Sequence, residues 1–105
     1  MEFGIGMTSA YGRTTLAVSG DIDAATAAPL RSALSTVAEI GDGEIYVDMA
    51  EVTFIESAGL ACLLEAHAAA TAAGKTLVVV QPSRVVTRLL KEAGELERLS
   101  PDLRP

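Results

Sequence analysis

Ser57 has the most chemistry open to it, because of where it falls in the chain. The run Ile45-Tyr46-Val47-Asp48-Met49 is followed by Ala50-Glu51-Val52-Thr53-Phe54-Ile55, and then by Glu56-Ser57-Ala58-Gly59-Leu60. The first stretch reads as a buried strand and the last as the opening of a helix. A serine at such a junction can cap the helix with its own oxygen. A phosphate on the same oxygen would sit in the positive field of the helix N-terminus, near backbone N–H groups without intrahelical partners. The junction therefore admits two roles for Ser57, a cap or a switch.

Other reactive groups are few. His67 is the only histidine and continues the stripe of Leu60, Leu63 and Leu64 one helical turn later, which marks a packing residue. Ser57 and His67 are ten residues apart on one expected helix, roughly 15 Å at about 1.5 Å per residue, so a Ser–His nucleophile is excluded within one chain. Cys62 is the only cysteine; it allows no intramolecular disulfide and reads as a small core hydrophobe. Asp21 and Asp23 can be paired carboxylates or turn residues bonded to the local backbone. Asp48 interrupts an apolar strand near its C-terminal end, where open α/β sheets place their sites, or simply bonds neighbouring loop N–H groups. No phosphate-binding glycine loop is present, and no metal or other cofactor is expected.

The elements that must position these groups follow from periodicity. Phe3–Met7 suggests a short first strand, Tyr11-Gly12-Arg13 a turn, and Thr14–Ser19 a second strand ending at Gly20. Gly20–Asp23 reads as a loop. A helix follows, with Thr26 as N-cap and Pro29 in its first turn, burying Leu30, Leu34, Val37 and Ala38 on one face. Strand Ile45–Met49 leads to a helix from Ser57 to about Ala73 that stops at Gly74. Lys75–Val80 has the continuous apolar look of a strand covered on both faces. Ser83 caps a third helix that ends near Gly94, Leu96 and Leu99 add a short element, and residues 100–105 are expected to fray. Strands alternating with helices define an α/β class with parallel crossovers, and the opening hairpin makes the sheet mixed.

A chain of 105 residues predicts one domain with a single core. There is no apolar run of 18 residues and no signal-peptide pattern over residues 1–20, so no membrane insertion is expected. The formal charge of -6 argues against direct binding of nucleic acid, which needs a basic surface. It suits solubility, or steering toward a basic patch on a partner. The lone cysteine fits a reducing, cytoplasmic setting.

The segment V-D-M-A-E-V-T-F-I-E-S-A-G-L-A-C-L-L, Val47 to Leu64, resembles the core motif of STAS domains, above all of bacterial anti-sigma-factor antagonists. S-G-D-I-D-A-A-T-A-A-P-L, Ser19 to Leu30, matches as well, as does the later apolar strand followed by V-x-x-L-L. The resemblance implies one STAS-like α/β domain with a mixed sheet of four to five strands and three to four packed helices. It implies a non-enzymatic protein in transcription regulation by partner switching. An anti-sigma factor that is also a serine kinase binds the unphosphorylated antagonist and phosphorylates the serine, here Ser57, while a serine phosphatase resets the cycle. The partner-binding patch so implied comprises Asp21, Asp23, Thr26, Glu56, Ser57, Ala58, Gly59 and Leu60. Two positions depart from the family pattern: Glu56 stands where aspartate is usual, and Ala58 where a second hydroxyl residue is common. Other STAS domains are not phosphorylated and act as accessory modules that bind a small ligand or a transporter subunit.

Overall fold

The computed structural model describes residues 1–101. In chain order the elements are β1 (Gly4–Ala10), β2 (Arg13–Ile22), α1 (Ala24–Ile40), β3 (Glu44–Ile55), α2 (Ser57–Ala72), β4 (Thr76–Val80), α3 (Arg84–Glu92) and α4 (Leu96–Leu99). The four strands form one sheet in the order β1-β2-β3-β4. β1 runs antiparallel to β2, and β2, β3 and β4 are mutually parallel. This is the mixed α/β sheet that the hairpin and the βαβ alternation predict.

Burial alternates strictly along β2: Thr14, Leu16, Val18, Gly20 and Ile22 are buried, whereas Arg13 and Ala17 are exposed. One face of the sheet thus carries the core, and the opposite face is open to solvent. The apolar run in β4 misleads here. Leu77 and Val79 are buried, but Val78 and Val80 are only half-buried, because the helices cover the sheet on the Leu77 and Val79 face. On the core face, Leu30, Leu34 and Val37 of α1 and Leu63 of α2 pack against Leu16, Ile45 and Val47.

Two element boundaries move toward the site. α1 begins at Ala24, two residues before Thr26. Its N-cap is Asp23, whose Oδ1 accepts from Ala25 N at 2.9 Å and from Thr26 N at 3.1 Å. Thr26 Oγ1 accepts in return from Asp23 N at 2.9 Å, so Thr26 is the N3 member of a capping box rather than the cap. Pro29 consequently lies in the second turn. The segment Gly20–Ile22 is strand, not loop. Gly20 has φ +84, and a Cβ on it would stand 2.1 Å from Glu2 O, so the N-terminal segment crosses directly over this residue.

β3 is also longer than Ile45–Met49. It reaches Ile55 through two register shifts against β2, between Ala17 and Ser19 and between Gly20 and Asp21. Each shift inserts one extra β3 residue, as a bulge does. Asp48 belongs to the first: its Oδ1 accepts from Ala50 N at 3.0 Å.

At the other end the chain is held, not frayed, as far as it is described. Leu99 is fully buried, and Ser100, 3% exposed, donates its hydroxyl to Val79 O at 2.7 Å. Residues 102–105, the rest of the expected tail, lie outside the described residues. Because Leu99 fills the core beneath β4, Leu99→Ala should lower unfolding free energy by about 2–4 kcal/mol in urea denaturation. A change under about 0.5 kcal/mol would mean that α4 is not part of the core.

Candidate functional site

The C-terminal ends of β2 and β3 and the start of α2 converge on one surface. The last ladder pairs are Asp21 with Phe54 and Ile22 with Ile55. One residue later Glu56 N donates to Ile22 O at 3.1 Å, which fixes the turn from β3 into α2. Gly59 lets the helix come close. A Cβ there would lie 2.7 Å from Ile22 Cγ2 and 3.0 Å from Ile55 Cγ1, so only glycine lets the first turn rest against both strand ends. The small residue therefore sets the height of Ser57 above the sheet.

Ser57 is exposed and is the first residue of α2. The N-cap position belongs to Glu56, in extended backbone (φ -107, ψ 173), and its side chain makes no capping hydrogen bond. Ser57 is one position inside the helix and so is not its N-cap. A shorter carboxylate at position 56 could accept from the first-turn amides, as Asp23 does in α1. The 16-residue helix thus begins without a side-chain cap, beside an exposed hydroxyl.

Around this serine stand Asp21, Asp23 and Glu56, which the structure brings to the same end of the sheet. Asp21 Oδ1 accepts from Thr53 Oγ1 at 2.6 Å, and its Oδ2 lies 3.0 Å from the Met1 ammonium. The Thr53 hydroxyl first, and the ammonium second, hold the Asp21 carboxyl below its ordinary range. Asp23 is spent on the α1 cap. Thr26 is held by its hydroxyl, which donates to Asp21 O at 3.0 Å. Ala58 and Leu60 are half-buried against the core, and Gly59 is buried; these three shape the patch from beneath.

Phe54 is the residue that sequence reasoning passes over. It follows Val52 at strand spacing, and Val52 is buried, so simple alternation puts Phe54 in the core. The second register shift pairs Val52 with Gly20 and Phe54 with Asp21, which turns Phe54 outward, 45% exposed. A large apolar ring thus sits three residues before Ser57, the first residue of α2.

The remaining reactive groups are structural. His67 Nδ1 is 3.0 Å from Leu77 O and ties α2 to β4. Cys62 is buried with Sγ 3.6 Å from Ala27 O, and burial pushes its thiol pKa up. Among the described residues no three His, Cys, Asp or Glu side chains cluster as metal ligands.

The family described as Mlab, STAS domain, matches residues 5–100, and the chain belongs to the STAS domain family. Among solved structures, an anti-sigma factor antagonist from Mycobacterium paratuberculosis superposes with TM-score 0.85 at 22% identity, over 94% of this chain and 84% of that one. The unphosphorylated anti-sigma factor antagonist SpoIIAA of Bacillus gives 0.73 at 18%, over 90% and 82%. A sulfate transporter family protein from Wolinella succinogenes gives 0.74 at 20%, over 90% and 77%. At these identities the likeness is one of fold. No match was found among curated proteins.

Two outcomes follow from the capping geometry and from Asp21. Asp23→Ala removes a working cap and should cost about 0.5–2 kcal/mol, whereas Glu56→Asp should supply a missing one and stabilise by up to about 1 kcal/mol. Equal effects of the two in thermal or urea unfolding would contradict the assignment of the caps. For Asp21, the folded-state pKa is depressed. Its contribution to stability is therefore full above the unfolded value of about 3.9 and is lost as pH falls through the lower folded value. Thr53→Val should raise the Asp21 pKa toward the ordinary range in an NMR pH titration; an unchanged pKa would show that the hydroxyl is not the cause.

Proposed function

We propose that this STAS domain is an anti-sigma-factor antagonist that docks on an anti-sigma factor with serine kinase activity and is released when that partner phosphorylates Ser57. The observation that carries this reading is the exposed Ser57 hydroxyl on the uncapped first turn of α2, beside the exposed ring of Phe54. An exposed apolar residue next to polar groups is the usual make-up of a docking surface. The similarity in fold to two anti-sigma factor antagonists supports the same reading.

The mechanism is a change of local charge. The bare hydroxyl lies within the contact patch and can itself form a hydrogen bond to the partner. The kinase would transfer the γ-phosphoryl group of ATP to Ser57 Oγ, which loses its proton, and ADP would leave. Phosphorylation adds about -1.5 to -2 charges at neutral pH. The helix N-terminus offsets about half a unit of this. Asp21, Asp23 and Glu56 already make the surroundings acidic, so the patch becomes strongly anionic and costly to desolvate against a partner that fits the neutral form. Ala58 leaves Ser57 as the only hydroxyl of this first turn, so the modification has one acceptor there. The phosphatase that hydrolyses the phosphoserine restores binding.

A second reading is that of an accessory module that binds a transporter subunit or small ligand without phosphorylation. The likeness in fold to a sulfate transporter family protein favours it. Variants at Ser57 separate the two. Under the switch, Ser57→Ala should bind the anti-sigma partner within about threefold of wild type and take no phosphate, while Ser57→Asp should bind at least about tenfold more weakly. Calorimetry and intact-mass measurement with candidate kinases of the same genome provide the readouts. Undiminished binding by Ser57→Asp, with no phosphate gained by the wild type, would select the accessory module.

A further inference from the structure

β1 is an edge of the sheet, and it lacks the devices by which edges avoid pairing. Its seven residues, Gly4-Ile5-Gly6-Met7-Thr8-Ser9-Ala10, contain no charge and no proline. The uncharged stretch extends from Phe3 to Gly12, ten residues in a chain of net charge -6. Ile5 and Met7 pair across the ladder with Val18 and Leu16, so their side chains emerge on the core face of the sheet. There they are 37% and 49% exposed, whereas Val18 and Leu16 are buried. The edge thus presents unpaired backbone groups and an apolar pair at alternate positions.

We infer that β1 pairs with β1 of a second copy of this chain, antiparallel about a twofold axis at Gly6, to make one continuous eight-stranded sheet. Self-pairing is the occupant that the strand's own symmetry favours, because Ile5 and Met7 flank Gly6 equally on one face. Two molecules of net charge -6 repel at most approaches, and this strand brings backbone to backbone with no side-chain charge on either side. The register follows from the apolar pair. With Gly6 opposite Gly6 of the second copy, each Ile5 faces the other Met7, and the four side chains form one cluster on the core face. The hairpin turn of each copy, with its fully exposed Tyr11, then lies level with Met1 of the other, beside Gly20 and Asp21. Dimerisation would thus border both candidate sites without covering α2. Edge pairing over seven residues makes a small interface, so the association is a weak and reversible one.

The register is open to a direct trap. No atom lies within 4 Å of a Cβ built on Gly6, so Gly6→Cys is sterically free. Opposed Cα atoms in an antiparallel pair are about 4.5–5.5 Å apart, within disulfide range. Thr8→Cys is the control: in this register its two copies are roughly 14 Å apart, four residues at about 3.4 Å each. Buried Cys62 stays out of the reaction. Sedimentation equilibrium up to about 1 mM should show a mass rising from 10.8 kDa toward twice that value. Gly6→Cys should oxidise to a covalent dimer much faster than Thr8→Cys, and Met7→Lys, with unchanged circular dichroism, should weaken association at least about tenfold. A monomer throughout the range, a dimer indifferent to Met7→Lys, or equal cross-linking of the two cysteine variants would each overturn the inference.

Discussion

The close approach of α2 to the ends of β2 and β3 is the constraint on which the candidate site depends. It rests on Gly59 against Ile22 and Ile55, and on the hydrogen bond from Glu56 N to Ile22 O. A helix start held at both backbone and side-chain level cannot drift relative to the sheet, since a packed interior resists even one added methyl. Ser57 is therefore presented on a rigid surface, with Asp21 and Phe54 paired beside it in the last rungs of the ladder. A modification of the hydroxyl acts on that surface without needing to refold anything beneath it.

The same geometry explains why charge is the natural currency of this patch. Asp21 is kept ionised by Thr53 and the Met1 ammonium, Asp23 is engaged with the α1 amides, and Glu56 makes no capping bond to the α2 amides. All three act over a screening length of about 8 Å at physiological ionic strength. Their fields meet at the first turn of α2, opposed by its N-terminal dipole and, at Asp21, by the Met1 ammonium. Adding a phosphate to this balance changes the surface from polar and partly apolar to strongly anionic. The fold itself, built from one-sided burial on β2, β3 and β4, has no stake in that change.

Much of this was legible in the residues. The βαβ alternation, the hairpin, the Ser83 cap and the Leu30–Leu34–Val37 face of α1 all follow from local periodicity and turn chemistry, which the structure reproduces. The STAS resemblance in Val47–Leu64 and Ser19–Leu30 identified the family. What periodicity missed arose from nonlocal pairing. The bulges in β3 are set by its register against β2, so no reading of β3 alone extends it to Ile55 or turns Phe54 outward. The capping box is not legible locally, because Thr26 is a good cap by itself and only the path of β2 through Ile22 makes Asp23 the N-cap. The apolar run in β4 suggests two-sided cover, but the helices pack only on the face of Leu77 and Val79, a choice of layer that no local pattern encodes.

The most direct test compares the two chemical states of one atom. Protein phosphorylated stoichiometrically at Ser57 and the unmodified protein should be titrated by calorimetry against the anti-sigma factor of the same genome, with unfolding curves measured for both. The account predicts that the phosphate weakens binding by at least about tenfold while unfolding free energy changes by no more than about 1 kcal/mol. Equal affinities, or a loss of affinity matched by a loss of folded structure, would contradict it.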